Sequence, residues 1–540
     1  MDPNLSEFID SDTPKLNPDL ANGLAVKHFR GVESYIDGIW RSAAKGFPEE
    51  LKYLGYKRIN PYEEADKTRR KIGKSNRRAF DMAPSYITMY KYMLSFNGDE
   101  KDLHRYLYLP YVGEAGQIML SGARFTISPV LIDKVISVGE SSIFVRLLRD
   151  KLTFKRVIQH FQINGLRETV QIPWSMIYHK NAKMKALRNN IKAQCVLAHY
   201  LFCKYGFTKT FEMFAQCRPI VGGAEINANS YPPDQWAICT TNGIPPRGTR
   251  RGYWEAPQVR VAVRKEELTP MVKSLIAGFF YVADHFPNRI QPNFVDSERL
   301  WKILLGQIIF SSDIHEGKLH DDIHDHIQSL NDYVDNYIIV KLRELKRLSR
   351  EITDIYQLFA EIIENINHWL ITEKSEVNSM YNKELSILYF VLYEITKNIF
   401  LFSFKLKAAA KKQLTINEVK NALNTTIKPG LIYNITRKHG EVTTTSSSGD
   451  NKALKITSIL VPQSGSTRQG PSRDRAILTD SSKYLHESIA EFGGYLNQPK
   501  SNPTGRARLN LCAHLDSGEN LVPNPKFEPI WAEVREYIKR

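Results

Sequence analysis

Short apolar runs separated by glycine and polar residues dominate the chain between about Leu103 and Tyr178. Such runs are typical of β-strands joined by turns. Beyond this stretch the spacing changes to that of a helix, with apolar residues at every third or fourth position: Leu187, Ile191, Cys195, Ala198 and Phe202. The pattern therefore predicts a β-rich first part that gives way to helices.

The following section, residues 220–254, is rich in turn dipeptides and is predicted to be mostly loop. From Leu268 to about Lys407 the chain is predicted to be mostly helical. The longest pattern in this part forms one apolar stripe: Ile338, Leu342, Leu345, Leu348, Ile352, Ile355, Phe359, Ile362, Ile366 and Trp369. A stripe of this kind is typical of a helix face buried in a core.

The most apolar stretch of the sequence runs from Leu385 to Phe404. Glu394 and Lys397 interrupt it, whereas a bilayer span needs about 20 nearly uncharged residues. We therefore expect a buried helix here.

Strands and helices in separate runs indicate an α+β fold. The length of 540 residues predicts several domains, since a domain averages roughly 150 residues.

Charge narrows the class of partner. Lys and Arg number 74 against 58 Asp and Glu, which gives a formal net charge of +16. This excess favours a polyanionic partner, nucleic acid or an anionic membrane, with a generally basic surface as the alternative.

The five cysteines include no CxxC pair, which argues against a disulfide framework or a four-thiolate zinc site. A reducing compartment suits the chain better than secretion.

Basic residues form three clusters along the sequence. Residues 67–78 contain seven basic residues and no acid, with Arg69, Arg70 and Lys71 at their centre. A second cluster joins aromatic residues to cations: Arg247, Arg250, Arg251, Tyr253 and Trp254. A third lies in a Ser- and Gly-rich region: Arg468, Arg473, Arg475, Arg506 and Arg508. Arginine forks bind phosphates, so these clusters are candidate nucleic-acid contacts, with solvated loops as the alternative.

The strongest metal signal is the sequence from His315 to His326. His320 and His324 are four positions apart, as the two histidines of a helical HExxH zinc motif are, and Asp321 stands at the place of its Glu. The alternative is an exposed, His-rich loop or helix start.

No phosphate-binding glycine motif, no GxSxG and no DxDxD triad is present. We therefore identify no catalytic residue, which favours a binding scaffold or one subunit of a larger enzyme.

Several segments, read in order, resemble the N-terminal half of the β subunit of multisubunit RNA polymerases. Residues 116–131 are similar to that family's strand–turn–strand segment, framed by Gly116 and Gly122. Residues 318–348 resemble its acidic turn before a long helix. The matching residues of that turn are Asp321, Asp322, Asp325 and His326. By this resemblance, the candidate metal ligands belong to a structural turn.

Three further segments continue the resemblance. Residues 414–426 are similar to the family's short helix before the fork module. Residues 455–478 resemble the stretch in which a Gln precedes paired arginines, with Gln463, Arg473 and Arg475 as the matching residues. Residues 502–524 resemble a later segment that ends in a turn. The matching residues are Pro503, Arg508 and the turn Asp516-Ser517-Gly518.

The chain ends soon after this last segment, as in the split β subunits of giant (jumbo) bacteriophages of the phiKZ type. The resemblance implies protrusion, lobe and fork modules, with the lobe inserted into the protrusion. We expect a flexible leader at 1–20, a β-rich protrusion-like part at 21–180 and a mostly helical, lobe-like part with a loop-rich middle at 181–380. Residues 381–455 would return to the protrusion, residues 456–525 would form an Arg-rich fork, and residues 526–540 a helical tail.

The resemblance also implies a function: part of a DNA-directed RNA polymerase, a nucleotidyltransferase that acts in transcription. The catalytic Mg²⁺ would lie on a partner β′-like chain, and this chain would bind no cofactor. Its partners would be the DNA template, the RNA transcript, the C-terminal β half, β′-like chains and a promoter-recognition subunit, without a membrane. We expect it in the host bacterial cytoplasm, with packaging in the virion left open. The alternatives are a standalone nucleic-acid-binding or virion structural protein, and a His/Asp metallohydrolase that uses His320 and His324.

Overall fold

The computed structural model has a mixed α+β architecture with several antiparallel sheets. It describes the chain from residue 17 onward, except for residues 22–23, 61–86, 100–102, 111, 113–116, 121–122, 128, 140, 149–150, 176–194, 247–253, 311–313, 331–333, 346–347, 373–378, 411–413, 432–443, 447–457, 463–485, 494–505, 511–512, 526–528, 530–531, 534–535 and 538–540.

The strands are, in chain order, β1 Leu51–Ile59, β2 Ile87–Phe96, β3 His104–Pro110, β4 Gln117–Leu120, β5 Ala123–Ile127, β6 Val130–Asp133, β7 Ile136–Val138, β8 Ser142–Arg146, β9 Lys151–Ile163, β10 Leu166–Ser175, β11 Cys195–Val196, β12 Ile220–Gly222, β13 Trp236–Thr241, β14 Arg260–Arg264, β15 Lys383–Ser386, β16 Thr444–Ser446, β17 Ser458–Pro462, β18 Arg506–Asn510, β19 His514–Leu515 and β20 Leu521–Val522.

The α-helices are α1 Pro18–Ala21, α2 Ala25–Phe29, α3 Val32–Ala44, α4 Leu197–Tyr205, α5 Phe207–Ala215, α6 Pro270–His285, α7 Glu298–Ile309, α8 Glu316–Leu330, α9 Asn336–Arg343, α10 Ile355–Thr372, α11 Leu388–Ala410, α12 Ile416–Thr426 and α13 Ile489–Phe492.

The chain divides into two compact units. Unit 1 consists of residues 1–134, 335–344 and 376–540, and unit 2 of residues 135–334 and 345–375. Unit 1 is therefore discontinuous in sequence, because the two segments of unit 2 interrupt it.

Unit 1 contains a three-stranded antiparallel sheet in the order β1-β2-β3. Trp40 of α3 lies against one face of this sheet, with its ring centroid 5.5 Å from Tyr53 and 6.3 Å from Tyr92. Phe402 of α11 packs edge-on against the same indole at 5.9 Å. The fully buried Trp40 thus joins two helices to the sheet.

Smaller antiparallel sheets complete unit 1. Strand β5 pairs with both β4 and β16, β15 pairs with β6, β17 with β18, and β19 with β20. The β4–β5 hairpin confirms the strand–turn–strand predicted at residues 116–131. The short helix predicted at residues 414–426 is also confirmed as α12, whose capping box joins Thr415 to Glu418.

Unit 2 is built on an eight-stranded antiparallel sheet, whose main order is β11-β10-β9-β13-β14-β12. Aromatic side chains fix helices to this sheet: Phe161 of β9 stacks on Phe280 of α6 at 5.9 Å, and Phe154 contacts Phe359 of α10 at 6.2 Å. The β-rich stretch predicted between Leu103 and Tyr178 is confirmed by β3 to β10. The section predicted as loop contains two strands of this sheet, β12 and β13.

The long apolar stripe does not form one helix. Ile338 and Leu342 lie in α9 of unit 1, whereas the residues from Ile355 to Trp369 lie in α10 of unit 2. A new helix begins because Asp354 Oδ1 accepts hydrogen bonds from the backbone N–H groups of residues 356 and 357, each at 2.8 Å. The prediction of a buried face holds for all these residues except Leu345 and Leu348, which are half-buried in the break.

The apolar stretch from Leu385 to Phe404 forms β15 and most of α11. One face of α11 is buried, including Leu392, Ile399 and Phe402, which confirms the predicted buried helix. Among the described residues, no helix combines the length and the apolar character needed to cross a bilayer.

Candidate nucleic-acid interface

Two of the predicted phosphate-binding arginines lie in strand β18. This strand pairs antiparallel with β17, so that Arg508 lies opposite Leu460 and Arg506 opposite Pro462. Ala507 and Leu509 are buried, whereas Arg508 is exposed. Because side chains alternate between the faces of a strand, the β17–β18 ribbon is anchored on one side and offers Arg508 to solvent on the other.

An apolar cluster of unit 1 holds the buried side of the ribbon. Leu509 and Ala507 pack there with residues from distant parts of the chain: Leu20, Leu24, Leu131, Met380, Leu385, Ile489, Phe492, Ala513 and Leu521. The exposed arginine therefore stands on a strand whose other face belongs to a core. Such a strand positions a cation more rigidly than a solvated loop does.

The predicted turn Asp516-Ser517-Gly518 lies between β19 and β20. Asp516 Oδ1 accepts a hydrogen bond from the backbone N–H of Asn520 at 2.9 Å. Glu519, which follows the turn, has a φ of 64°, in the left-handed region that glycine favours. A non-glycine residue keeps this conformation only where its surroundings compensate for the strain.

Glu519 is compensated by two lysines and one histidine. Its Oε2 lies 2.8 Å from His28 Nε2 and 3.1 Å from Lys341 Nζ, and its Oε1 lies 3.5 Å from Lys27 Nζ. Burial alone would raise the pKa of Glu519, but the hydrogen bond from His28 and the electrostatic interactions with His28, Lys341 and Lys27 outweigh it and lower the pKa to about 2. Glu519 is therefore a buried carboxylate that stays ionised.

The partners of Glu519 are held in place in turn. Lys341 Nζ also donates to the carbonyl oxygen of Gly518 at 2.6 Å. Burial lowers the pKa of Lys341, but Glu384, Tyr337, Glu519 and Glu344 together raise it above its ordinary value. His28 Nδ1 accepts from the backbone N–H of Ile387 at 3.0 Å, so the ring carries a proton on Nε2 and donates it towards Glu519.

This ionic cluster ties α2, α9, β15 and the β19–β20 turn together within unit 1. Its role is structural, because Glu519 Oε2, Lys341 Nζ and His28 Nδ1 all contact groups of other elements of the chain. What it contributes near the interface is a fixed turn, which begins at Asp516, six residues after Asn510 at the end of β18. The Glu519 cluster was missed from the sequence, since its members are hundreds of positions apart and no local motif marks them.

The remaining predicted nucleic-acid contacts lie outside the described residues. These are Gln463, Arg468, Arg473, Arg475, Arg69, Arg70 and Lys71. Arg506 lies within β18, although only its backbone is described. Of the second basic cluster, Trp254 is described, and its Nε1 donates to the carbonyl oxygen of Asp284 at 2.8 Å. Trp254 thus has a structural role in unit 2.

The acidic turn predicted before a long helix is wrong. Asp321, Asp322, Asp325 and His326 all lie inside α8, which already begins at Glu316. The reason is an apolar stripe at intervals of four residues, in which Leu319, Ile323 and Ile327 are buried. This stripe stabilises the segment as a helix.

His320 and His324 do share one face of α8, with ring centroids 6.0 Å apart. However, His320 Nδ1 lies 3.0 Å from Asp321 Oδ1, and His324 Nδ1 lies 3.5 Å from the ammonium group of Lys302. A lysine at this distance disfavours a second cation. Across the part of the chain that the structure describes, no three His, Cys, Asp or Glu side chains are grouped to hold a metal ion.

Comparison with protein families gives one result that covers nearly the whole chain. The model of the family described as non-virion RNA polymerase subunit matches residues 1–536. A search of curated proteins found no match.

Proposed function

The chain belongs to the non-virion RNA polymerase subunit family, and we propose that, within it, the chain is the N-terminal half of a split β-like subunit of a giant-phage polymerase. The family match over residues 1–536 is the observation that carries the proposal. The β4–β5 hairpin, α12 and the β17–β18 ribbon support the finer assignment, because they follow one another in the order of the β-subunit segments that they resemble.

The division into units supports the proposed modules. The sequence of unit 1 is interrupted by that of unit 2, which is the arrangement expected for a lobe inserted into a protrusion. In the proposal, unit 1 includes the protrusion and the fork, and unit 2 forms most of the lobe.

The proposed task of the chain is to form one wall of the channel that holds DNA and the RNA–DNA hybrid. Arg508, together with Arg473 and Arg475, would contact phosphates, which positions a nucleic acid without reading its sequence. The catalytic Mg²⁺ would be held by acidic residues of a β′-like partner, and this chain would supply binding and orientation.

A polymerase named for its absence from the virion acts in the host cytoplasm, which disfavours the virion structural protein as an alternative.

Purification of the tagged chain from infected cells tests this proposal. We expect it to co-purify with at least three large chains, one of which carries an NADFDGD-like acidic triad, and the complex to synthesise RNA from a DNA template. The proposal is wrong if the chain is recovered without such a partner while the polymerase fraction remains active. A complex in which this chain aligns with a different subunit would reject the β assignment alone.

A further inference from the structure

The β1-β2-β3 sheet has two chemically different faces. On one face, Tyr53 and Tyr92 pack against Trp40 of α3, and the hydroxyl of Tyr53 donates to Asp37 Oδ1 at 2.7 Å. The strand register places a different set of residues on the other face. There Lys57 lies directly opposite Lys91, and Lys91 lies directly opposite Tyr106.

These three residues form a row across the sheet, which we call the lysine–tyrosine face. Adjacent strands are about 4.8 Å apart, so the row extends over roughly 10 Å. Lys57 is exposed, and Lys91 and Tyr106 are half-buried. The ring of His104, two positions before Tyr106 in β3, contacts the tyrosine ring edge-on at 4.9 Å and so limits its orientation.

The charge on this face is unbalanced. Strands β1, β2 and β3 contain no Asp or Glu, and Lys52, Lys57 and Lys91 lie on this face, whereas Arg58 and Arg105 lie opposite Tyr90 and Tyr92 on the other face. Like charges that lie directly opposite each other destabilise an antiparallel pair. Within the described residues, neither Lys57 nor Lys91 forms an ion pair. An anion bound between the two ammonium groups would remove this repulsion.

We propose that the lysine–tyrosine face binds single-stranded nucleic acid, with a phosphate between Lys57 and Lys91 and a base stacked on Tyr106. A phosphate matches the paired positive charge, and an aromatic ring one strand away matches the base of the same nucleotide. Lysines that follow the backbone and an aromatic platform for the bases are the two components of sequence-tolerant single-strand binding. A duplex hides the faces of its bases, which makes the unpaired strand the better ligand. The proposal does not depend on which polymerase subunit the chain represents.

Substitution of Lys91 by Glu separates binding from folding. In Lys91→Glu the repulsive pair becomes an attractive one, so we expect a higher melting temperature together with weaker binding. The probe is fluorescein-labelled dT20 with the full chain, and anisotropy is measured at several salt concentrations. Lys209→Glu, which makes the same charge change at an exposed position of α5, is the control. Equal loss of affinity in the two variants would overturn the proposal.

Two further measurements identify the contacts. The double variant Lys57→Gln, Lys91→Gln should lower the salt dependence of log K by about 0.7, since the one phosphate contact that it removes contributes about 0.7 on a single strand. Tyr106→Leu should weaken dT20 binding by about 5-fold or more, because one stacked base contributes about 1–3 kcal/mol. It should leave binding of the dT20·dA20 duplex within about 2-fold. An equal loss with duplex and single strand would reject the stacking role and favour a duplex ligand.

Photo-cross-linking gives a direct readout in the complete polymerase. An oligonucleotide that carries 5-iodouracil should cross-link to the peptide that contains Tyr106, and Lys91→Glu should abolish this product. If cross-links map only to other peptides of the chain, the lysine–tyrosine face is not the binding site.

Discussion

Lys341 and Glu519 are 178 positions apart in the sequence, yet the Nζ of the lysine lies 3.1 Å from Oε2 of the glutamate. Both side chains are at most 10% exposed. Removing two such charges from water costs several kcal/mol for each ion, so the pair contributes mainly by satisfying groups that folding has already buried. Leu521, two residues after Glu519, packs in the same apolar cluster as Leu509 of β18, so the pair fixes a turn that is anchored in the core beneath the arginine strand.

The first prediction concerns this pair. Lys341→Met should lower the free energy of unfolding of unit 1 by about 3–5 kcal/mol, because it leaves the Glu519 carboxylate with less compensation in a buried site. The double variant Lys341→Met, Glu519→Leu should recover part of this loss. Urea denaturation followed by hydrogen exchange at α9 measures both.

Lys397→Met, at a side chain that is 61% exposed, is the control and should change stability by less than about 0.5 kcal/mol. A single variant as stable as the control would show that the pair is not needed.

The second prediction is the pH dependence of the same carboxylate. The pKa of Glu519 is lowered from 4.5 to about 2 in the folded protein. Its contribution is therefore fully present above pH 4.5 and is lost as the pH falls towards 2. The shift corresponds to about 3 kcal/mol. The stability difference between the wild type and Glu519→Gln should be largest at pH 7 and should shrink between pH 4.5 and 2. A difference that stays constant over this range would contradict the ionised state.

The third prediction concerns a carboxyl group whose pKa is raised in the folded protein, so that its stability contribution changes with pH in the opposite direction. Asp284 in unit 2 accepts hydrogen bonds from Thr241 Oγ1 at 2.6 Å and Gln159 Nε2 at 2.8 Å. Burial outweighs these bonds and raises the pKa of Asp284 from 3.8 to about 6. The folded protein thus holds a proton that the unfolded chain has lost, and this contribution disappears as the pH rises through 6. Asp284→Asn should gain about 3 kcal/mol relative to the wild type between pH 4 and 7, measured by urea denaturation. A relative stability independent of pH would reject the raised pKa.

The outcome for the helices shows what local sequence can predict. The stretch from Leu385 onward predicted a buried helix, because apolar spacing and two interrupting charges are local features. The stripe from Ile338 to Trp369 failed as a single helix, since the side chain of Asp354 begins a new one. Periodicity alone contains no information on such a cap, because an Asp also fits on the polar face of a continuous helix.

The candidate site shows the same limit more strongly. Composition indicated a polyanionic partner, and Arg508 of the third basic cluster is exposed on strand β18. The Glu519 cluster was not predictable, because its cations come from α2 and α9, and no spacing rule connects residues 28, 341 and 519. The row of Lys57, Lys91 and Tyr106 depends on strand register, which the separate sequences of β1, β2 and β3 do not determine.

The last prediction tests the ribbon as a phosphate-binding element. Because Arg508 is exposed and its neighbours Ala507 and Leu509 carry the packing, Arg508→Ala should leave the melting temperature unchanged. In a reconstituted polymerase it should weaken binding to different template sequences by a similar factor and lower the salt dependence of log K by about 0.7–0.9, as expected for one lost phosphate contact. We expect lower transcription from Arg473→Ala and Arg475→Ala as well. Arg508→Lys should restore part of the binding, since it keeps the charge and loses only the bidentate geometry. If elongation rates in all three alanine variants equal that of the wild type, the assignment of this region to the fork is wrong.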